Sequence, residues 1–138
     1  MIWAFVVVFC LFPLCHNATR QRLKAGAARG IINALGVRLD ADLTHAVPGA
    51  LIVANHVSWI DIFVISAVLP AAFVSKEEVR HWPLVGLLVA HGENVFLRRG
   101  SRGHARIINQ QVADILGKGN YVAVFPEGTT TDGTHLLH

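Results

Sequence analysis

Short apolar runs alternate with longer helical stretches from residue 49 onward, and this alternation limits the fold more than any other feature of the chain. Strands that alternate with helices are typical of an α/β domain with a largely parallel sheet. The predicted strands lie at 50–54, 71–75, 94–98 and 121–125. The predicted helices lie at about 59–69 and 101–116. We therefore predict an α/β fold in which a mostly parallel sheet is flanked by helices.

The N-terminal run, residues 1–15, contains no charged side chain and is rich in Val, Phe, Leu and Ile. As a helix it would reach about 22 Å, which is shorter than the roughly 30 Å hydrocarbon core of a bilayer. Three interpretations are open: a shallow re-entrant or interfacial helix, a truncated transmembrane helix, and a signal peptide, although the last lacks the usual basic start. The positive-inside bias predicts that the basic residues that follow face the cytoplasm. They are Arg20, Arg22, Lys24 and Arg29.

Residues 19–36 are predicted to form a basic amphipathic helix. It is open whether this helix lies on anionic lipid or packs on the domain as a surface helix. We predict residues 1–36 as a membrane-associating helical segment and residues 37–138 as the main domain. A chain that is 53% hydrophobic, with a net charge of +3 and no nucleic-acid motif, suits an anionic membrane better than nucleic acid. The predicted apolar stripe of the helix is Leu23, Ala27, Ile31, Ala34 and Leu35.

A histidine and an aspartate, His56 and Asp61, lie five residues apart where the first predicted strand meets the first predicted helix of the domain. Ser58 is predicted to cap that helix, with Asp61 in its first turn as the acidic half of a capping box. The imidazole would then fold back toward the carboxylate. Histidine is suited to move a proton near neutral pH, and a carboxylate that holds its other nitrogen fixes the tautomer. The alternative is that Asp61 only caps the helix and His56 is an ordinary turn histidine.

Two further clusters follow later strands. The first is arginine-rich and predicts phosphate binding, although a solvated basic face is the alternative. The second cluster spans 125–129. Gly128 permits a tight turn there, and Glu127 is placed to accept hydrogen bonds from a hydroxyl or to hold an arginine. The alternative is an ordinary turn after the strand. Because sites form at the carboxyl ends of parallel strands, His56, Arg99 and Glu127 are predicted to share one site. The arginines of the first cluster are Arg98, Arg99, Arg102 and Arg106.

Other common chemistries lack their motifs in this sequence. The remaining histidines show no metal-ligand spacing, so no metal site is predicted. The chain also has no phosphate-binding glycine loop and no nucleophile-elbow motif.

The three blocks, in this order, resemble the glycerolipid acyltransferases of the lysophosphatidic acid acyltransferase (PlsC-like) family. That family carries an N-H-x4-D block, then a block ending F-x-x-R, then F-P-E-G-T. In this chain the blocks stand at 55–61, 96–99 and 125–129. The resemblance covers about residues 49–133 and implies that 37–138 form an acyltransferase domain.

The resemblance implies that His56 is the general base and that Asp61 orients it. The hydroxyl of a lysophospholipid, such as 1-acyl-glycerol-3-phosphate, would lose its proton to His56 and attack an acyl thioester directly. The acyl donor would be acyl-CoA or acyl-carrier protein as co-substrate, and no cofactor is expected. The residues that the resemblance assigns to acceptor binding are Arg99, which would hold the phosphate, Glu127, Gly128 and Thr129.

The expected protein is therefore an enzyme of phospholipid biosynthesis on the cytoplasmic face of a membrane. Two positions depart from the family pattern: Arg98 stands where an acidic residue is common, and Thr130 stands where arginine is common. Both positions bear on the charge of the acceptor. Family members usually continue well beyond the last block, so the domain is expected to be truncated at the C-terminus. The alternative function is a catalytically incompetent lipid- or acyl-carrier-binding membrane protein.

Overall fold

The structure is a computed structural model that describes residues 16–77, 94–97 and 102–134. Each helix and strand predicted in these ranges is present, with its described ends within two residues of the prediction. The elements in chain order are α1 (Asn17–Ala34), β1 (Leu51–Val53), α2 (Ile60–Val68), β2 (Ala71–Lys76), β3 (Val95–Leu97), α3 (Arg102–Gly117) and β4 (Tyr121–Val124).

The four strands form one sheet in the order β1-β4-β2-β3, and every pair is parallel. The predicted α/β fold with a parallel sheet is confirmed. The last strand of the described residues, β4, lies between β1 and β2. Leu51 of β1 is opposite Val122 of β4, and Ala71 of β2 is opposite Tyr121 of β4. The carboxyl ends of β1 and β4 are therefore neighbours, which brings the segment after residue 53 beside the segment after residue 124.

Helices cover both faces of the sheet. On one face α1 and α2 enclose a core that includes Phe63 of α2 and Phe73 of β2. On the other face α3 buries Ile108 and Ile115 against residues such as Val122. Burial on both faces explains the apolar runs of the two central strands, β2 and β4, whereas Leu51 and Val53 of β1 are exposed.

Phe63 is fully buried, and its ring meets that of Trp59 edge-on, with 5.5 Å between the ring centroids. We expect Phe63→Ala to lower the free energy of unfolding by about 3–5 kcal/mol, because it removes apolar contacts and leaves a cavity. Urea unfolding followed by circular dichroism measures this change. Ile107→Ala, at a side chain that is 53% exposed on α3, is the matched control and should cost about 0.5 kcal/mol or less. Equal losses in the two variants would contradict the proposed core.

The buried face of α1 differs from the predicted apolar stripe. Ala28 and Ile32 are buried against α2, whereas Leu23 and Leu35 of the predicted stripe are 39% and 47% exposed. Ile31 of the predicted stripe is partly buried against the same core as Ala28 and Ile32. A hydrogen bond also joins the two helices: Nε of Arg29 donates at 2.9 Å to the carbonyl oxygen of Ala67, which lies in the last turn of α2. One face of α1 is thus packed on the domain, and the lipid-facing interpretation stays a prediction.

Lys24 is partly buried on α1. Burial, with a smaller contribution from the charge of Arg20, lowers the pKa of its ammonium group. The unfolded chain therefore binds more protons than the folded chain between this lowered pKa and the usual pKa of 10.5, and stability should rise with pH through that window. We expect Lys24→Met to raise the free energy of unfolding at pH 7 and to raise it less near pH 10.5. Urea unfolding at the two pH values tests this, and an equal effect at both would contradict it.

Within the described residues, no helix combines the length and the apolar character needed to cross a bilayer. The N-terminal run 1–15, on which the predicted membrane-associating segment depends, lies outside the described residues. The predicted boundary between residues 36 and 37 also stays a prediction.

Candidate active site

The segment between β1 and α2 carries the predicted histidine and aspartate. Helix α2 begins at Ile60, one residue later than predicted, because Trp59 precedes it as the flanking residue. The predicted capping box is only half present. The carboxylate of Asp61 reaches back to the backbone N–H of Ser58 at 2.9 Å, but the Ser58 hydroxyl accepts from Ile60, at 3.3 Å, and not from Asp61. A carboxylate at this end of a helix is also favoured by the helix dipole.

His56 and Asp61 are in direct contact. Nδ1 of His56 lies 3.0 Å from Oδ2 of Asp61, and the two side chains are 19% and 25% exposed. The same Oδ2 accepts the backbone N–H of Val57 at 2.8 Å, which fixes the carboxylate in place. An ionised carboxylate can only accept, so Nδ1 of a neutral imidazole carries the proton and Nε2 keeps a free lone pair. Among the described residues, Nε2 has no hydrogen-bond partner.

The segment that follows β4 holds the main chain of His56. The backbone N–H of His56 donates to Oε2 of Glu127 at 3.0 Å, and its carbonyl accepts the backbone N–H of Thr131 at 2.7 Å. The hydroxyl of Thr131 also lies 3.4 Å from Oε2 of Glu127. Both polar groups of the His56 backbone are thus fixed by a segment that is distant in sequence, since Glu127 lies 71 residues further along the chain.

Phe125 lies at the start of the same segment and contacts the imidazole itself. Its ring is stacked on that of His56, with 4.3 Å between centroids and 21° between planes. The ring of Phe125 also lies nearly parallel to the ring of Phe73, at 6.5 Å and 12°. A column of three rings therefore runs from the core to the histidine.

The structure brings together three of the predicted site residues, His56, Asp61 and Glu127. Gly128 and Thr129 lie in the same segment after β4 and are exposed. Gly128 has a φ of 63°, a backbone conformation that favours glycine, and its N–H closes a turn onto the carbonyl of Phe125 at 3.1 Å. Predicted residue Arg99 lies outside the described residues, so its part in the site stays a prediction.

Sequence reasoning assigned no part in the site to Thr131 or to the ring of Phe125. No local pattern could have revealed Thr131, because its hydrogen bond to His56 depends on the path of the segment after β4. The order β1-β4 in the sheet would have been the necessary signal, and the sequence pattern does not contain it. Within the described ranges, no group of three or more side chains has the arrangement of a metal site.

One carboxylate oxygen of Glu127 takes no part in these hydrogen bonds. Oε1 is buried and has no hydrogen-bond partner among the described residues, whereas Oε2 holds the backbone of His56. A buried carboxylate oxygen without a donor is unfavourable, so this atom is suited to accept a hydrogen bond from a ligand or from a basic side chain.

Comparisons with known proteins bear on the family and the fold of the chain. The sequence model of the Acyltransferase family matches residues 38–138. The chain is 38% identical to a 1-acyl-sn-glycerol-3-phosphate acyltransferase of Neisseria meningitidis over 121 residues, which are 86% of this chain and 48% of the relative. It is 52% identical to a lyso-ornithine lipid O-acyltransferase of Pseudomonas aeruginosa over 84 residues, which are 61% of this chain and 32% of the relative. The chain thus spans about half the length, or less, of these curated relatives.

A solved structure shares the fold. The crystal structure of the 1-acyl-sn-glycerophosphate (LPA) acyltransferase, PlsC, from Thermotoga maritima superposes with a TM-score of 0.66. The match covers 97% of this chain and 60% of that chain at 24% sequence identity, so it bears on the fold alone.

Proposed function

Because this chain belongs to the Acyltransferase family, we propose that it transfers a fatty acyl group from an acyl thioester to the hydroxyl of a lysophospholipid in phospholipid biosynthesis. The observation that carries the proposal is the contact between Nδ1 of His56 and Oδ2 of Asp61 at 3.0 Å. It leaves Nε2 of His56 with a lone pair that can accept a proton.

In the proposed reaction, Nε2 of His56 removes the proton of the acceptor hydroxyl as the oxygen attacks the thioester carbonyl carbon. The tetrahedral intermediate then collapses, the carbon–sulfur bond breaks, and the proton on His56 passes to the departing thiolate. Asp61 stabilises the imidazolium that exists between the two steps. General-base assistance of this kind contributes about 10²- to 10⁴-fold to the rate.

Acceptor binding is proposed for the segment after β4. Oε1 of Glu127 has no hydrogen-bond donor among the described residues, and the exposed residues Gly128 and Thr129 lie in the same segment. We further propose that Arg99 binds a phosphate on the acceptor, as the family resemblance implies. The donor is proposed to be acyl-CoA or acyl-carrier protein, and the site of action the cytoplasmic face of a membrane.

Two acceptors are supported by different observations. The match to the Neisseria meningitidis protein covers more of this chain and favours 1-acyl-glycerol-3-phosphate. The higher identity to the Pseudomonas aeruginosa protein favours lyso-ornithine lipid as a second candidate. Thr130, which stands where arginine is common in the family, also removes a positive charge beside the proposed acceptor site.

A radiolabelled acyl-transfer assay with both acceptors tests the proposal. The chain is supplied with a thioester donor and either 1-acyl-glycerol-3-phosphate or lyso-ornithine lipid in detergent micelles, and the products are separated by thin-layer chromatography. Labelled product from the first acceptor supports the leading proposal, and product from the second alone supports the second candidate. The absence of labelled product from both acceptors would contradict the proposed activity. If the chain also binds the lipid without turnover, the lipid-binding alternative is favoured.

A further inference from the structure

The ring of Phe125 bears on how the imidazole of His56 is held. The contact of Nδ1 with Asp61 fixes one atom of the ring, and the bonds from Glu127 and Thr131 fix the main chain. Neither contact sets the plane of the imidazole, since the ring torsion of histidine is broad and the ring can pivot about its one hydrogen bond. A flat partner at 4.3 Å removes that freedom.

The position of Phe125 is itself well supported. Next to it lies the nearly parallel ring of Phe73, which is 5% exposed and belongs to the core. The column of three rings therefore transmits the rigidity of the core to the imidazole. The direction of Nε2, which must point at the acceptor hydroxyl, then depends on a residue that touches only the face of the ring.

The ring face also interacts with charge. Aromatic faces carry negative potential and attract a cation placed over them. An imidazolium on Phe125 is therefore favoured over a neutral imidazole in the same place, and the imidazolium is the form of His56 that the proposed reaction creates.

We propose that Phe125 is a positioning residue for His56, which fixes the plane of the imidazole and stabilises its protonated form during acyl transfer. This inference rests on the proposed function of His56 as general base. Phe125 is the first residue of the segment after β4. Its proposed role is distinct from the acceptor binding proposed for the residues that follow it.

The kinetic test compares three variants with the wild-type chain in the acyl-transfer assay. Phe125→Leu keeps an apolar side chain but has no ring face, and we expect kcat to fall about 10- to 100-fold, as for a misplaced catalytic group. KM for the acceptor should change much less, because ground-state binding is unaffected. Phe125→Tyr keeps the face and should retain most of kcat. Ile115→Ala, in the core on the other face of the sheet, is the control for packing, and it should lower thermal stability while leaving kcat closer to wild type than Phe125→Leu does.

An NMR measurement tests the stack without relying on activity. The imidazole C–H resonances of His56, assigned by their loss in His56→Ala, should lie upfield of free histidine because of the ring current of Phe125. They should move downfield in Phe125→Leu and remain upfield in Phe125→Tyr.

The outcomes separate this inference from the proposed function. Unchanged resonances in Phe125→Leu, or an unchanged kcat, would overturn the role of Phe125 while acyl transfer by the wild-type chain still stood. A wild-type chain that shows the upfield resonances but transfers no acyl group to either acceptor would overturn the proposed function, and with it any catalytic role for the stack.

Discussion

Replacing His56 by alanine should lower kcat for acyl transfer by about 10²- to 10⁴-fold, the usual contribution of a positioned general base. The acceptor hydroxyl would keep its proton until after attack, so the loss should appear in kcat more than in KM. The substitution removes only the side chain. The backbone bonds of residue 56 to Glu127 and Thr131 can still form, so the variant is expected to fold.

Initial rates with a radiolabelled thioester donor measure the effect, and thermal unfolding checks that the variant is folded. His45→Ala is the matched control, because this histidine is exposed in the segment before β1 and is outside the proposed site. It should keep wild-type activity. A folded His56→Ala variant with activity within about threefold of wild type would exclude His56 as the base, since general-base catalysis is worth far more than that.

Asp61→Asn is expected to have an effect of comparable size with an almost unchanged shape. The amide oxygen of asparagine can still accept the N–H groups of Val57 and Ser58. Because the same Oδ2 position also meets Nδ1 of His56, the amide oxygen would keep the proton on Nδ1. The neutral amide carries no charge to stabilise the imidazolium that the reaction creates, so kcat should fall.

The predicted cause can be observed directly. Nitrogen-15 NMR of the imidazole should show the proton on Nδ1 in both the wild-type chain and Asp61→Asn, so a fall in kcat would be due to the lost charge. Asp40→Asn, at an exposed carboxylate in the segment before β1, is the matched control and should change neither the tautomer nor the rate. A folded Asp61→Asn variant with the wild-type kcat would exclude a role for the charge of Asp61 in the reaction.

Local patterns predicted the elements of the fold well. The central strands β2 and β4 are short apolar runs because helices cover both faces of the sheet there, and a run of that kind can be recognised without knowledge of its neighbours. The contact of His56 with Asp61 could also be expected, because His56 lies just before α2 and Asp61 lies in its first turn. The predicted family is confirmed by the match over residues 38–138.

Features that depend on distant parts of the chain could not be predicted in this way. The place of β4 between β1 and β2 is a property of the whole sheet, and the bonds from Glu127 and Thr131 to His56 follow from it. The face of α1 that packs on the domain depends in the same way on α2. It carries Ala28 and Ile32, which lie outside the predicted apolar stripe, although Ile31 of that stripe also packs against the core.

The place of β4 in the sheet also sets the order of events as the protein is made. In the part of the chain that the structure describes, β1 pairs with β4 alone, and it emerges from the ribosome long before that partner. Such non-local pairing must close a long loop first, which slows folding. Until β4 inserts, the nascent chain exposes the edges of β1 and β2 together, a state prone to mispairing. The proposed base therefore becomes competent only after β4 has inserted, so a nascent chain that ends before β4 has no assembled site.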